Sequence, residues 1–209
     1  MAGWNEEIKK KLGSCGENVF IGHNVIITQP ENVHLGNNVR IDPFTLITCK
    51  LVTGDNVQIT AYSMLGGSYN TVKLGNWTFI GYGSKLFTGS EDYSGNGGPV
   101  NEFWGNNITY KGDIVFNDFC GVASDVIVFP GVELPEGVCI GAKSLVPKAT
   151  YKRGRTTWPR PGNDLVTSLM MPYNVYVGTP LKHLKSRNKD EIQRLANDPS
   201  FQKYPLQGI

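Results

Sequence analysis

The chain has 209 residues, 40% of them hydrophobic, enough to fill the core of one domain. Twenty Lys and Arg against 18 Asp and Glu leave a formal charge of +2, which gives no basis for nucleic-acid binding or a general attraction to membranes. No apolar run approaches a membrane span, and the opening "MAGWNEEIKKKLGSCG" lacks the apolar core of a signal peptide, so a soluble, cytoplasmic protein is expected.

In chain order, residues 1–16 read as a capping segment, with "NEEIKKKL" forming a helical turn or two. A six-residue period then begins. Ile21, Ile27 and Val33 are six apart, as are Leu35, Ile41, Ile47, Thr53, Ile59 and Leu65. Val39, Thr45, Leu51, Val57 and Ser63 fall four residues after the first five of the second set. The register shifts near "GGSYNT" and resumes with Leu74, Ile80 and Leu86. The last run is Phe116, Val122, Val128, Leu134, Ile140 and Val146, with Cys120, Val126, Val132, Val138 and Ser144 at the fourth positions. Neither the helical period of 3.6 nor the simple strand period of 2 produces this spacing. A solenoid with flat faces does: three short strands and three turns make a coil of about 18 residues with a triangular section. The small fourth residue lets the chain turn inside a narrow prism, and each coil pairs its backbone with the coils on either side.

The segment "IVFNDFCGVASDVIVFPGVELPEGVCIGAKSLVPK" (114–148) resembles the hexapeptide-repeat acyltransferases, and the likeness extends over most of residues 17–186. That resemblance implies an all-β fold, a left-handed parallel β-helix with a long protruding loop and a short C-terminal helix. It also implies homotrimers with active sites in the clefts between prisms, and acetyl-CoA or another acyl-CoA as co-substrate. Because the prism interior is filled by side chains, substrates are expected to bind outside it.

Three segments break the period. Residues 87–112 form a long loop, residues 151–171 an insertion, and residues 187–209 a tail whose Ile192 and Leu195 suggest an amphipathic helix. Many members of the family carry a histidine base on the first loop. Here the loop reads "FTGSEDYSGNGG" and has none. "GSEDYSG" resembles the S-D-D-F-S-G loop of a branch linked to surface polysaccharides and unusual sugars. A sugar hydroxyl needs a competent base to attack a thioester. A sugar amine, by analogy with an α-amino group of pKa about 8, is partly neutral near pH 7 and needs orientation more than activation. A carboxylate can orient it. Asp92 is the first candidate and Glu102 the second, with Glu91 able to replace either. The bland alternative is that all three are solvated loop acids or turn caps.

Further roles follow from the resemblance. Gly121 and Ala123 match the segment that runs beside the pantetheine, although turn geometry accounts for them equally. Lys148, Arg153 and their basic neighbours are candidates for the CoA phosphates, and Gly178, Thr179 and Pro180 match the last turn near the adenine. A backbone N–H near Ser84 or in "CGVAS" would serve the oxyanion. Ser84 itself also fits an inward corner residue. Tyr93, Phe103 and Trp104 suit stacking on a sugar or base, or pinning the loop to a neighbouring subunit.

The reading is an acyl-CoA-dependent N-acetyltransferase acting on a nucleotide-linked amino sugar. The alternatives are a sugar or polysaccharide O-acetyltransferase and a non-catalytic β-helical binding module. A zinc-dependent carbonic anhydrase of the same fold would need three convergent histidines. His23, His34 and His183 are scattered, and Cys15, Cys49, Cys120 and Cys139 show no C-x-x-C spacing, so no metal is expected.

Overall fold

The fold is seen in a computed structural model, which describes residues 6–67, 70–91, 109–147, 151–152, 155–156 and 170–200. Short parallel strands wind into a left-handed β-helix with three flat faces. The first face stacks Ser14–Cys15, Val33–Leu35, Lys50–Thr53, Thr71–Leu74, Ile114–Phe116 and Glu133–Leu134. The second stacks Phe20–Ile21, Val39–Ile41, Val57–Ile59, Phe79–Ile80, Gly121–Val122, Cys139–Ile140 and Asn174–Val177, and ends on the antiparallel strand Lys182–Ser186. The third stacks Ile26–Ile27, Leu46–Ile47, Met64–Gly66, Lys85–Phe87, Ile127–Val128 and Leu145–Val146.

The six-residue period is the spacing between these faces. Its first position points inward on each of them, and the register aligns equivalent residues coil over coil. Ile41 pairs with Ile59, Ile59 with Ile80, Ile80 with Val122, and Val122 with Ile140. On the third face Ile47, Leu65, Leu86, Val128 and Val146 form the equivalent column. These side chains are excluded from solvent, so the prism is a packed core along its whole length.

The corners explain the remaining sequence choices. Between the first and second faces, each coil hands a backbone N–H to a side chain of the next. Asn37 Oδ1 accepts from the Glu17 amide, Asp55 Oδ1 from Asn37, Asn76 Oδ1 from Asp55, and Asp118 Oδ1 from Asn76, all within 2.7–2.9 Å. This is why "LGN" recurs. The residue after the acceptor adopts positive φ, as at Asn38, Asn56, Trp77 and Phe119. Between the second and third faces, Asn24, Phe44, Tyr62, Gly83, Asp125 and Lys143 do the same. Most residue types disfavour that conformation, and Asn, Asp and Gly tolerate it best.

Short elements close the ends. Glu6–Lys9 makes one helical turn near the start. Lys189–Ala196 is helical, with the Asn188 side chain accepting from the Glu191 amide. Arg187 donates to the Phe119 and Gly137 carbonyls and ties this tail to the corner of the prism. Tyr173 donates to Glu136, and burial, followed by that bond, pushes its hydroxyl up to about 12, so it stays neutral.

Candidate active site

Both long departures from the period leave the prism at the same edge. The first follows the third-face strand Lys85–Phe87, and the second follows Leu145–Val146. In that sheet the two strands are separated only by Ile127–Val128, whose chain turns the corner directly. Two strand spacings put the departures roughly 10 Å apart along the prism. The loop that holds the candidate acids and the basic insertion therefore start from neighbouring points on one arris.

The stem of the first loop is a short antiparallel ladder. Gly89 pairs with Lys111, Ser90 with Tyr110, and Glu91 with Thr109. Its base is tied to the preceding coil at both ends. Thr88 is fully buried, its N–H donates to the Gly66 carbonyl at 2.7 Å, and its Oγ1 donates to the same carbonyl at 3.0 Å. The Gly112 N–H donates to the Thr88 carbonyl at 3.1 Å. Gly67, at φ 121°, lies so close that a Cβ there would meet the Gly89 nitrogen at 2.5 Å. Only glycine fits.

Asp113 completes the base. One carboxylate oxygen accepts from the Thr71 N–H at 3.0 Å and from Asn70 Nδ2 at 3.2 Å, and the other accepts from Lys73 Nζ at 3.0 Å. The Thr71 N–H does most to hold this carboxyl below its ordinary value; partial burial works against it, and Lys73 and Asn70 add to the lowering. With the folded value below the unfolded one, the contribution is complete above the usual aspartate range and is lost only in acid.

Glu91 is in the stem strand Gly89–Glu91. Asp92, Tyr93, Glu102, Phe103, Trp104, Lys148 and Arg153 lie outside the described residues. In the insertion, Tyr151–Lys152 pairs antiparallel with Arg155–Thr156. Ser84 is inward and fully buried. Its hydroxyl donates to the Ala123 carbonyl at 2.8 Å and accepts from the Val126 N–H at 3.1 Å, while its own N–H donates to Gly81. Ser63 and Ser144 bond to corner carbonyls in the same way. A role for Ser84 toward a ligand thus competes with bonds that form the corner.

The smallness of Gly121 has a cause inside the chain. A Cβ there would collide with the Phe79 ring on the outer surface of the second face. Ala123 donates its N–H to Ile140 and is half-buried at the next corner. Gly178, at φ 99°, donates to Ser144 Oγ at 2.8 Å, and the exposed Thr179 and Pro180 follow it, joined by a cis peptide bond.

The histidines sit away from the loop stem. His34 Nδ1 is 3.0 Å from Ser14 Oγ on the first face, and His183 Nε2 is 2.8 Å from Asn174 Oδ1 on the terminal strand. His23 meets Phe44 edge-on at a corner. Among the described residues, no group of three or more His, Cys, Asp or Glu is arranged to hold a metal ion. Asp113 drew no notice in the sequence, because its partners are 40 to 43 residues earlier in the chain.

Comparison with known proteins fixes the family. No family model matches the chain. It is 32% identical over 153 residues to dTDP-4-amino-4,6-dideoxy-D-glucose acyltransferase from Escherichia coli, covering 70% of this chain and 79% of the relative. The chain belongs to the hexapeptide-repeat acyltransferases. Among solved structures, the acyltransferase is similar to a serine-to-cysteine mutant of AntD, an N-acyltransferase from Bacillus cereus, in complex with dTDP-4-amino-4,6-dideoxyglucose and coenzyme A. The TM-score is 0.74 at 26% identity, over 95% of each chain. AntD has also been solved with an aspartate changed to asparagine, in complex with dTDP and coenzyme A; that structure matches at TM-score 0.76 and 27% identity, over 96% of this chain and 97% of AntD. A maltose O-acetyltransferase from Clostridium difficile shares the fold alone, at TM-score 0.52 and 18% identity, over 87% of this chain and 73% of its own. This hexapeptide-repeat protein is an acyl-CoA-dependent acyltransferase.

Proposed function

We propose that this acyltransferase moves an acyl group from acyl-CoA to the amine of a nucleotide-linked amino sugar. The observation that carries the reading is the loop itself: it offers acids and no histidine, and the three histidines of the chain are placed elsewhere. The relative named for a dTDP-linked amino sugar and the AntD mutant solved with one support the same substrate class, with dTDP-4-amino-4,6-dideoxyglucose the first compound to try.

The neutral amine attacks the thioester carbonyl, a C–N bond forms, and the tetrahedral intermediate expels CoA thiolate as the C–S bond breaks. The proton lost by nitrogen ends on the thiolate. Asp92 orients the amine and stabilises its developing positive charge, with Glu102 and Glu91 as the other candidate acids. A backbone N–H on the corner carries the oxyanion. Tyr93, Phe103 and Trp104 flank the sugar nucleotide. Gly121 on the second face and Ala123 at the corner that follows serve the pantetheine, Gly178, Thr179 and Pro180 at the last such corner the adenine, and Lys148 and Arg153 the CoA phosphates. Residues 1–16, whose Ser14–Cys15 already joins the first face, lead into the β-helical body at 17–186, and 187–209 form the tail.

The test is thiol release from acetyl-CoA with the amino-sugar nucleotide and with its hydroxyl analogue. Turnover with the amine is expected to exceed that with the hydroxyl compound by at least about a hundredfold, the scale of one general-base contribution. Turnover of the hydroxyl compound alone would make this an O-acetyltransferase. No binding of acetyl-CoA by calorimetry would favour a non-catalytic module.

Among the described residues no helix is long and apolar enough to cross a membrane. We place the reaction in the cytoplasm, where acyl-CoA is available, and the assembly as a homotrimer. The outer row of the third face supports the trimer: Ile26, Leu46, Met64, Ile127 and Leu145 form a column interrupted only by Lys85. A covered apolar column is what a cyclic interface needs. Light scattering should give three times the 23.0 kDa chain mass, and Met64→Arg, in the middle of the column, should yield monomers. A monomeric native chain would remove the trimer.

A further inference from the structure

We propose that Asp113 is a positioning residue for acyl transfer, setting the direction in which the stem Gly89–Glu91 and Thr109–Lys111 carries the loop acids. The proposal rests on the reading of Asp92 and its neighbours as the amine-orienting group.

The stem is three residue pairs long and continues from the prism at its base. A ladder that short is marginal on its own, so its direction is set by what holds the base. On the outgoing side the base is Thr88, bonded twice to the Gly66 carbonyl. On the returning side Gly112 bonds to Thr88, and Asp113 bonds through its side chain to Asn70, Thr71 and Lys73 of the preceding coil, just before Ile114–Phe116 pairs with Val72–Leu74. The two anchors grip opposite ends of one connection: Gly66 ends a third-face strand, and Thr71 begins the next first-face strand. The stem is therefore fixed at two points on the coil beneath it. Without Asp113 the first tie on the returning side is the Ile114–Phe116 ladder, and the stem can pivot ahead of it. An acid displaced by about 1 Å orients an amine poorly, and a shift of that size costs roughly a hundredfold in rate in well-organised sites.

The bonds differ in what they can contribute. Lys73 and Asp113 are both substantially exposed, at 52% and 37% of the side chain, so their ion pair is screened and worth little. The Thr71 N–H is a backbone donor with fixed direction, and it contributes most to the depressed carboxyl value. Direction thus comes from the Thr71 and Asn70 bonds, which an asparagine side chain can keep. Charge is secondary.

The test uses the full chain with Asp113→Ala, Asp113→Asn and Lys73→Met. Asp113→Ala is expected to lower kcat at least about tenfold, with KM for acyl-CoA within about twofold and the thermal midpoint nearly unchanged. Asp113→Asn should recover kcat to within about threefold of the native chain, and Lys73→Met should stay within about twofold. Amide hydrogen exchange read on 89–91 and 109–112 should accelerate in Asp113→Ala, with the second-face strands unaffected. Retention of full kcat by Asp113→Ala overturns the proposal. So does a joint loss of kcat, CoA affinity and thermal stability that Asn does not restore. If the native chain transfers to no amine, the functional reading fails by that result. Exchange then decides the anchoring separately: unchanged stem protection in Asp113→Ala overturns it, and faster exchange confined to the stem supports it.

Discussion

Asp92→Asn is expected to lower kcat about a hundredfold for an amine acceptor, with KM for acyl-CoA and the unfolding midpoint unchanged. The substitution keeps the shape of the side chain and removes its charge. Two effects compete. The amine is intrinsically nucleophilic, which limits what any base can add. Yet as the C–N bond forms the nitrogen becomes cationic, and a nearby carboxylate stabilises that charge only in the transition state, so the loss should appear in kcat. Glu102→Gln should lower kcat less than Asp92→Asn does. If Asp92→Asn and Glu102→Gln both retain full activity, the acids of this loop are surface groups and the catalytic assignment fails.

Leu86→Ala is expected to be the most destabilising single change near the site, by about 2–5 kcal/mol. Leu86 is fully buried, in register with Leu65 on one side and Val128 on the other. The prism is narrow and its walls are hydrogen-bonded strands, so the cavity left by the missing atoms collapses poorly. In a chain of this length that cost corresponds to a fall in midpoint of roughly 5–15 °C. Lys85→Ala, one residue away on the outer surface, should change stability by less than about 0.5 kcal/mol. Equal losses at the two positions would mean that the interior is not packed as described.

That contrast is also the reason the fold was readable from the chain. A β-helix interior repeats one environment many times, so a single period names the inward residues. Ile41 and Ile59 could be chosen by counting sixes, Ile80 by counting again after the shift near "GGSYNT", and the structure puts all three in one column. The helix Lys189–Ala196 was legible for a similar local reason, the spacing of Ile192 and Leu195; its Asn188 cap is seen in the structure.

The site was legible only in outline. The loss of period showed where the loop leaves and which acids it holds. It did not show Asp113, because a carboxylate beside a glycine looks like any turn residue until Asn70, Thr71 and Lys73 are brought to it from the previous coil. Nor did it show that Phe79 fills the space above Gly121, a contact between adjacent coils 42 residues apart. Ser84 had two readings in the sequence. Geometry adds the bonds to Ala123 and Val126, which the corner needs whatever else the residue does. In each case the deciding contact is between coils, and a six-residue period carries no information about which groups meet there.

The central claim is that nitrogen receives the acyl group. The direct measurement is the linkage in the product formed from acetyl-CoA and dTDP-4-amino-4,6-dideoxyglucose, which offers both an amine and hydroxyls on one sugar. The product should be one acetyl group heavier, survive alkaline hydroxylamine, and, with a nitrogen-15 label on the amine, show a single amide N–H. A product that hydroxylamine returns to the starting sugar, with its amine still free, would be an ester and would contradict the account.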